Sequence, residues 1–109
     1  MHIAMIAGSN RREATSTSIL RHIETILKSK NIRVTFIDLA DVWLPLFSPD
    51  AAEVHPNADF LITSVDQADG LIFATPEYHG SISGSLKNAL DYLDNCHVEG
   101  KPVLAVSSA

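Results

Sequence analysis

The sequence is poor in cysteine and has no long apolar segment. Its 109 residues include one cysteine, Cys96, so an internal disulfide is excluded, which is typical of a reducing compartment. No apolar run approaches the roughly 20 residues that cross a bilayer, and the chain opens without the charged-then-apolar pattern of a secretion signal. We therefore expect a cytoplasmic protein with no membrane partner.

Positive charge is also scarce. The chain has 8 Lys and Arg residues against 13 Asp and Glu residues, a formal net charge of -5. Its cations are scattered, whereas a nucleic-acid surface needs them clustered, so we expect small molecules or proteins as partners and no nucleic acid. The pair Cys96-His97 has no neighbours at metal-ligand spacing, so no metal site is expected.

Short apolar segments alternate with amphipathic ones along the chain. Strand patterns occupy residues 2–7, 32–39, 70–75 and 103–106. Helical stripes follow the first three strands, ending near Asn31, starting again at Asn57, and covering residues 85–94. This order predicts right-handed crossovers and an α/β fold with a doubly wound parallel sheet. Because the second strand is the more polar and alternating one, we expect it near an edge.

The last strand pattern raises the question of what lies beside it. Val103-Leu104-Ala105-Val106 carries no polar residue, which is typical of a strand that is covered on both faces and flanked by neighbours. We therefore expect residues 1–109 to be a single domain that is incomplete at the C-terminus and lacks at least one more strand and helix. The alternative is a four-stranded domain that tolerates an apolar edge.

The loop after the first strand is rich in anion-binding groups, and parallel sheets bind ligands beyond the carboxyl ends of their strands. It runs Gly8-Ser9-Asn10-Arg11 and, after three more residues, Thr15-Ser16-Thr17-Ser18. Hydroxyls, a guanidinium and free N–H groups at a helix start together bind phosphate. Ser and Thr also cap helices without any ligand, but four in a row near Arg11 exceed what one cap needs.

The absence of certain glycines and of a lysine limits which phosphate-containing ligands the loop can bind. No Gly-Lys-Ser or Gly-Lys-Thr is present, which excludes a nucleotide triphosphate loop. The Gly-x-Gly-x-x-Gly motif of dinucleotide-binding folds is also absent after the first strand. Asp38, however, has the position of the acidic residue that binds the ribose in those folds. A loop rich in hydroxyls suits a compact monophosphate such as that of FMN.

A second loop follows the third strand. It reads Pro76-Glu77-Tyr78-His79-Gly80-Ser81 and continues as Gly84-x-Leu86-Lys87-Asn88-Ala89-x-Asp91. Pro76 and Gly80 can fix a turn whose backbone lies against a flat ring, and Tyr78 can add an aromatic surface. Taken alone, this loop is equally compatible with a plain strand-to-helix turn capped by Ser81 or Ser83.

Together, the two loops resemble those of the NAD(P)H-dependent FMN reductase family, which includes azobenzene, quinone and chromate reductases. The resemblance implies a flavodoxin-like fold with strand order 2-1-3-4-5, of which the fifth strand is missing from this sequence. It also implies an enzyme that passes a hydride from NADPH or NADH through FMN to a small-molecule acceptor such as a flavin, quinone or azo compound. Family members of this type are expected to form homodimers or homotetramers.

The resemblance also assigns site residues. It gives the FMN phosphate to Ser9, Arg11, Ser16, Thr17 and Ser18, the ring edge to Pro76, Glu77, Tyr78, His79 and Gly80, and the start of a third wall to Ser107. No catalytic residue is assigned, because the cofactor carries the chemistry. Members commonly have Asn where His79 stands and Pro where Ser83 stands, so contacts near the ring are expected to differ here.

Three other interpretations remain open. A flavodoxin-like electron carrier would bind FMN without being an enzyme, but it would normally lack Arg11 and be more acidic. An NAD-binding Rossmann domain would use Asp38 as its ribose ligand and bind no flavin. The chain could also be a structural remnant that cannot complete a flavin site.

Overall fold

A four-stranded parallel sheet organises the chain in the computed structural model, which describes residues 1–108. The strands are β1 His2–Ala7, β2 Arg33–Asp38, β3 Gly70–Pro76 and β4 Val103–Ser108. They lie in the order β2-β1-β3-β4, so the predicted strand order 2-1-3-4 and the edge position of the second strand are confirmed.

Helices cover both faces of the sheet. They are α1 Thr15–Ser29, α2 Pro56–Gln67, α3 Gly84–Asp91 and the short α4 Asn95–Val98. Alternate residues of β1 point to opposite faces: Ala4 and Ile6 join a core with α2 and α3, whereas Met5 and Ala7 pack with Leu20 of α1. This two-sided packing is what a doubly wound sheet requires. None of these described helices is both long and apolar enough to cross a membrane.

The helix ends follow from local chemistry. α1 stops at Ser29, and Asn31 adopts a φ of 61°, a left-handed conformation that asparagine tolerates better than most residues. The prediction of a stop near Asn31 is confirmed. The helix predicted over residues 85–94 is confirmed as far as Asp91, but its predicted end is wrong. Asp94 is instead the N-cap of α4, and its N–H donates to His97 Nδ1 at 2.9 Å.

Within the described residues, β4 is only partly covered. Val103 and Leu104 are 51% and 53% exposed, and within residues 1–108 the strand pairs along one edge, with β3. The predicted fifth strand is not tested by these residues and stays a prediction.

The segment between β2 and α2 is fixed to α3 by hydrogen bonds. The Asn88 side chain accepts from the Phe47 N–H at 2.8 Å and donates to the Pro45 carbonyl at 3.0 Å. The Tyr92 hydroxyl donates to the same carbonyl at 2.6 Å, and burial raises the pKa of this phenol. The segment is therefore held in place although Leu46 is exposed.

Candidate functional site

The carboxyl ends of β1 and β3 lie side by side, so the loops that follow them start from neighbouring points. Ala7 pairs with Ala74 in the sheet, and the Gly8 N–H donates to the Ala74 carbonyl at 2.7 Å. A Cβ atom on Gly8 would lie 2.8 Å from the Ala74 oxygen and 2.9 Å from the Leu86 Cβ. Glycine is therefore required here by close approach. We call residues 8–18 the phosphate loop and residues 76–82 the ring loop.

The start of α1 has unsatisfied hydrogen-bonding groups. Its N-cap is Ala14, which offers no side-chain bond, and the first turn contains no acidic residue. Ser16 is fully buried, and neither its Oγ nor the buried Thr17 Oγ1 has a hydrogen-bond partner within residues 1–108. Leaving a buried hydroxyl unpaired costs about 1–3 kcal/mol. The hydroxyls are thus not helix caps, and they leave unused hydrogen-bonding capacity at a helix N-terminus, where the helix dipole favours negative charge.

The other residues of the phosphate loop differ in their exposure to solvent. Ser9 is 1% exposed, and its Oγ accepts from the Arg11 N–H at 3.1 Å, so it shapes the loop from within. Arg11 is exposed and lines a cavity of about 220 Å³ together with Thr17 and Asp38. Ser18 is exposed one turn into α1, where its N–H already donates to the Ala14 carbonyl. The structure brings Arg11 and Thr17 together and leaves Ser18 to solvent.

Asp38 has a structural role that does not depend on a bound nucleotide. Its Oδ1 accepts from the Ala40 N–H at 3.0 Å, which closes the turn after β2. This is a common role of aspartate at the end of a strand.

The ring loop contains a tight two-residue turn. The backbones of Tyr78 and Ser81 exchange hydrogen bonds of 2.9 and 3.1 Å, while His79 and Gly80 between them have φ angles of 51° and 78°. Two successive positive φ angles define a type I′ turn, which favours Asn or Gly at its first position. His79 is therefore a strained choice at this turn. Tyr78 is 47% exposed at the base of the turn.

β4 adds a further wall beside the ring loop. The Glu77 N–H donates to the Ser108 carbonyl at 2.8 Å, and Ser107 pairs with Thr75 in the sheet. A cavity of about 270 Å³ is lined by Thr75, Glu77, Gly80, Ser81, Ile82 and Ser107. Pro76 is the last residue of β3, and its carbonyl accepts from the Thr75 hydroxyl at 2.8 Å. The structure thus places Glu77, Gly80 and Ser107 along one cleft, whereas Pro76, Tyr78 and His79 do not line it.

Two buried residues of this region were not assigned to the site from the sequence. Thr75 is 4% exposed and Ser83 is 2% exposed, and the Thr75 hydroxyl accepts from the Ser83 N–H at 3.0 Å. Ser83 also accepts from the Leu86 N–H at 3.1 Å, which confirms it as the cap of α3. The capping pattern was readable from the sequence; the contact with Thr75 was not, because it depends on how the ring loop closes.

Comparisons with known proteins identify the family of this chain. The family model described as NADPH-dependent FMN reductase matches residues 1–109. The chain is 33% identical over 110 residues to an NADPH azoreductase from Bacillus sp. (strain OY1-2), covering 100% of this chain and 59% of that protein. It is 35% identical over 104 residues to an FMN-dependent NADPH-azoreductase from Staphylococcus aureus (strain USA300), covering 91% and 55%.

A solved structure shows the same fold. The flavoenzyme NAD(P)H:(acceptor) oxidoreductase from Paracoccus denitrificans superposes with a TM-score of 0.82 at 22% identity, over 99% of this chain and 60% of that one. The fold is therefore flavodoxin-like, as predicted. The chain spans 59% and 55% of the lengths of the two curated relatives.

Proposed function

Because the chain belongs to the NADPH-dependent FMN reductase family, we propose that it binds FMN and acts in NAD(P)H-dependent reduction of a small-molecule acceptor. The observation that carries this proposal is the pair of buried, unpartnered hydroxyls of Ser16 and Thr17 at the uncapped start of α1. A dianionic monophosphate offers several acceptor oxygens, and the positive end of a helix dipole favours its charge.

In this proposal, different residues bind different parts of the cofactor. Ser16, Thr17 and the first N–H groups of α1 would hold the phosphate, with Arg11 adding a positive charge at the exposed side of the loop. The ring edge would lie along residues 76–80, with Ser107 beside it. FMN, when bound, supplies the capacity to accept a hydride and pass it on, while the chain binds and orients it.

Ser9 and Ser18 have different roles in this proposal. Ser9 supports the phosphate loop through its bond to the Arg11 N–H and does not need to touch the ligand. Ser18 is exposed, and its backbone N–H donates to the Ala14 carbonyl, so it can offer a phosphate only its hydroxyl.

The acceptor, the assembly and the location are also proposals. The two curated relatives are named azoreductases, which supports an azo compound, a quinone or a flavin as the acceptor. We propose a homodimer or homotetramer in the cytoplasm, with residues 1–109 forming one FMN-binding domain. The exposed apolar side chains of Trp43 and Leu46 support further burial in an assembly.

Flavin binding and turnover test the proposal separately. The purified protein is titrated with FMN while flavin fluorescence is followed, and NADPH oxidation is then measured with an added quinone or azo dye. We expect saturable FMN binding and steady oxidation of NADPH. A protein that binds no FMN would contradict the cofactor assignment, whereas bound FMN without turnover would favour the electron carrier.

A further inference from the structure

The phosphate loop and the ring loop are joined by one buried hydroxyl. The Ser83 Oγ donates to the Gly8 carbonyl at the start of the phosphate loop and accepts from the Leu86 N–H at the start of α3. Ser83 and Gly8 are 75 residues apart in the sequence. The serine therefore makes a direct link between two loops that the chain connects only at long range.

The same serine closes the base of the ring loop. Its N–H donates to the Thr75 hydroxyl, so the residues before and after the ring loop are bonded to each other at 3.0 Å. On the other side, Gly8 is fixed to β3 by its N–H bond to the Ala74 carbonyl at 2.7 Å. Ser83 and Thr75 are almost fully buried, so water does not compete for these bonds.

A proline at this position would not reproduce the link. Ser83 has a φ of -66°, which proline could adopt, but proline has neither the hydroxyl that reaches Gly8 nor the N–H that donates to Thr75. In this chain, the side-chain bond between the two loops requires a hydroxyl at residue 83.

We propose that Ser83 is a positioning residue that sets the distance between the phosphate loop and the ring loop. This inference rests on the proposed function, in which one FMN molecule occupies both loops. A ligand with two attachment points gains affinity only when both points are held at the matching separation. Loss of the Ser83 link therefore weakens FMN more than it weakens a ligand that occupies one loop.

The test compares FMN with lumiflavin, which has the ring but neither the ribityl chain nor the phosphate. In Ser83→Ala, we expect FMN affinity to fall about tenfold, the scale of one lost hydrogen bond. Lumiflavin affinity should change less than about twofold, because each loop by itself is intact. Ser83→Thr, which keeps the hydroxyl, should restore FMN affinity.

The controls separate positioning from stability. Ser29→Ala removes a hydroxyl that also donates to a backbone carbonyl, that of Ile26, at the far end of α1, and it should change neither affinity. If Ser83→Ala does not fold, Ser83→Gly carries the same test, because glycine is tolerated at an N-cap. If Ser83 served only as the cap of α3, its replacement would lower the affinities for FMN and for lumiflavin to the same extent, because both would follow the loss of folded protein.

Each outcome decides between the proposals. Unchanged FMN affinity in Ser83→Ala, or an equal loss for FMN and lumiflavin, would overturn the positioning role and leave the proposed function standing. A wild-type protein that fails to bind FMN would overturn the proposed function and this inference with it.

Discussion

At the scale of single residues, the buried hydroxyls of α1 are expected to have opposite effects on stability and on ligand binding. Ser16 lies in the first turn of the helix, fully buried, and its Oγ has no partner in the described part of the chain. A hydroxyl kept in this state adds nothing to the stability of the ligand-free protein. Its retention makes physical sense if a ligand supplies the missing acceptor.

Replacing this hydroxyl should separate the two effects. In Ser16→Ala, we expect the free energy of unfolding without FMN to stay equal or rise by up to about 1 kcal/mol, because an unpaired polar group is removed. FMN affinity should fall by about 1.5–3 kcal/mol, the range for hydrogen bonds to charged groups. Urea unfolding and FMN titration measure the two quantities.

Thr25→Ala is the matched control for that experiment. The Thr25 hydroxyl donates to the Arg21 carbonyl on the exposed side of the same helix. Its removal should leave FMN affinity unchanged. A large loss of stability in ligand-free Ser16→Ala would show that the hydroxyl has a protein partner, which contradicts our assignment.

His79 has a backbone conformation that is unfavourable for a histidine. Its φ of 51° lies in the left-handed region, which costs a non-glycine residue about 1–2 kcal/mol and asparagine less. His79→Asn should therefore raise the free energy of unfolding by about 0.5–1 kcal/mol, measured by urea unfolding. The same change at the exposed helical residue His22 should not stabilise the protein, and equal effects at both positions would argue against backbone strain.

At the scale of secondary-structure elements, an ion cluster fixes α1 to the sheet. The Glu24 carboxylate lies 3.0 Å from Arg21 and 3.1 Å from Lys28, and the Arg21 guanidinium sits 3.6 Å from the ring centroid of Phe36 in β2. Burial alone would raise the pKa of Glu24, but the hydrogen bonds from Arg21 and Lys28 outweigh it and hold the pKa below its usual value of 4.5.

The lowered pKa of Glu24 predicts how stability changes with pH. Because the folded protein holds this proton less tightly than the unfolded chain does, the contribution is present above pH 4.5 and is lost as the pH falls through the lowered value. Glu24→Gln should cost about 0.5 kcal/mol at pH 7, since both cationic partners are half exposed. Urea unfolding should show the difference from wild type shrinking below pH 4.5.

The exposed Glu99 provides a comparison for this experiment. Glu99→Gln should change the free energy of unfolding by less than Glu24→Gln at pH 7. If the Glu24→Gln difference grew on acidification, the sign of the pKa shift would be wrong.

At the scale of the whole molecule, the proposed site is formed at the ends of three strands. The two loops and Ser107 are contributed by β1, β3 and β4, so a ligand that spans them is coupled to folding of the entire sheet. By mass action, FMN at 100 times its dissociation constant should stabilise the protein by about 2.7 kcal/mol.

For a domain of this size, that stabilisation raises the melting temperature by roughly 10 °C or more. Thermal unfolding followed by circular dichroism with increasing FMN measures the shift. Riboflavin, which lacks the phosphate, should give a smaller shift at the same concentration because it leaves Ser16 and Thr17 unsatisfied. Equal shifts for the two flavins would remove the phosphate loop from the site.

The sequence by itself determined the order of the elements and predicted which loops would bind a ligand. Strand and helix periodicity are local, so the apolar segments at residues 2–7 and 70–75 and the stop near Asn31 were readable without a structure. The carboxyl ends of parallel strands always meet at one edge of the sheet, which made the loops after β1 and β3 the expected site.

Only the tertiary structure decided how those loops are held and which hydroxyls are available. The bond from Ser83 to Gly8, the break between α3 and α4, and the exposure of Val103 depend on contacts between distant parts of the chain. The four consecutive hydroxyls at residues 15–18 look alike in sequence, yet the turn of the helix buries Ser16 and exposes Ser18. Local patterns fix element type, whereas burial and long-range partners depend on how the elements pack.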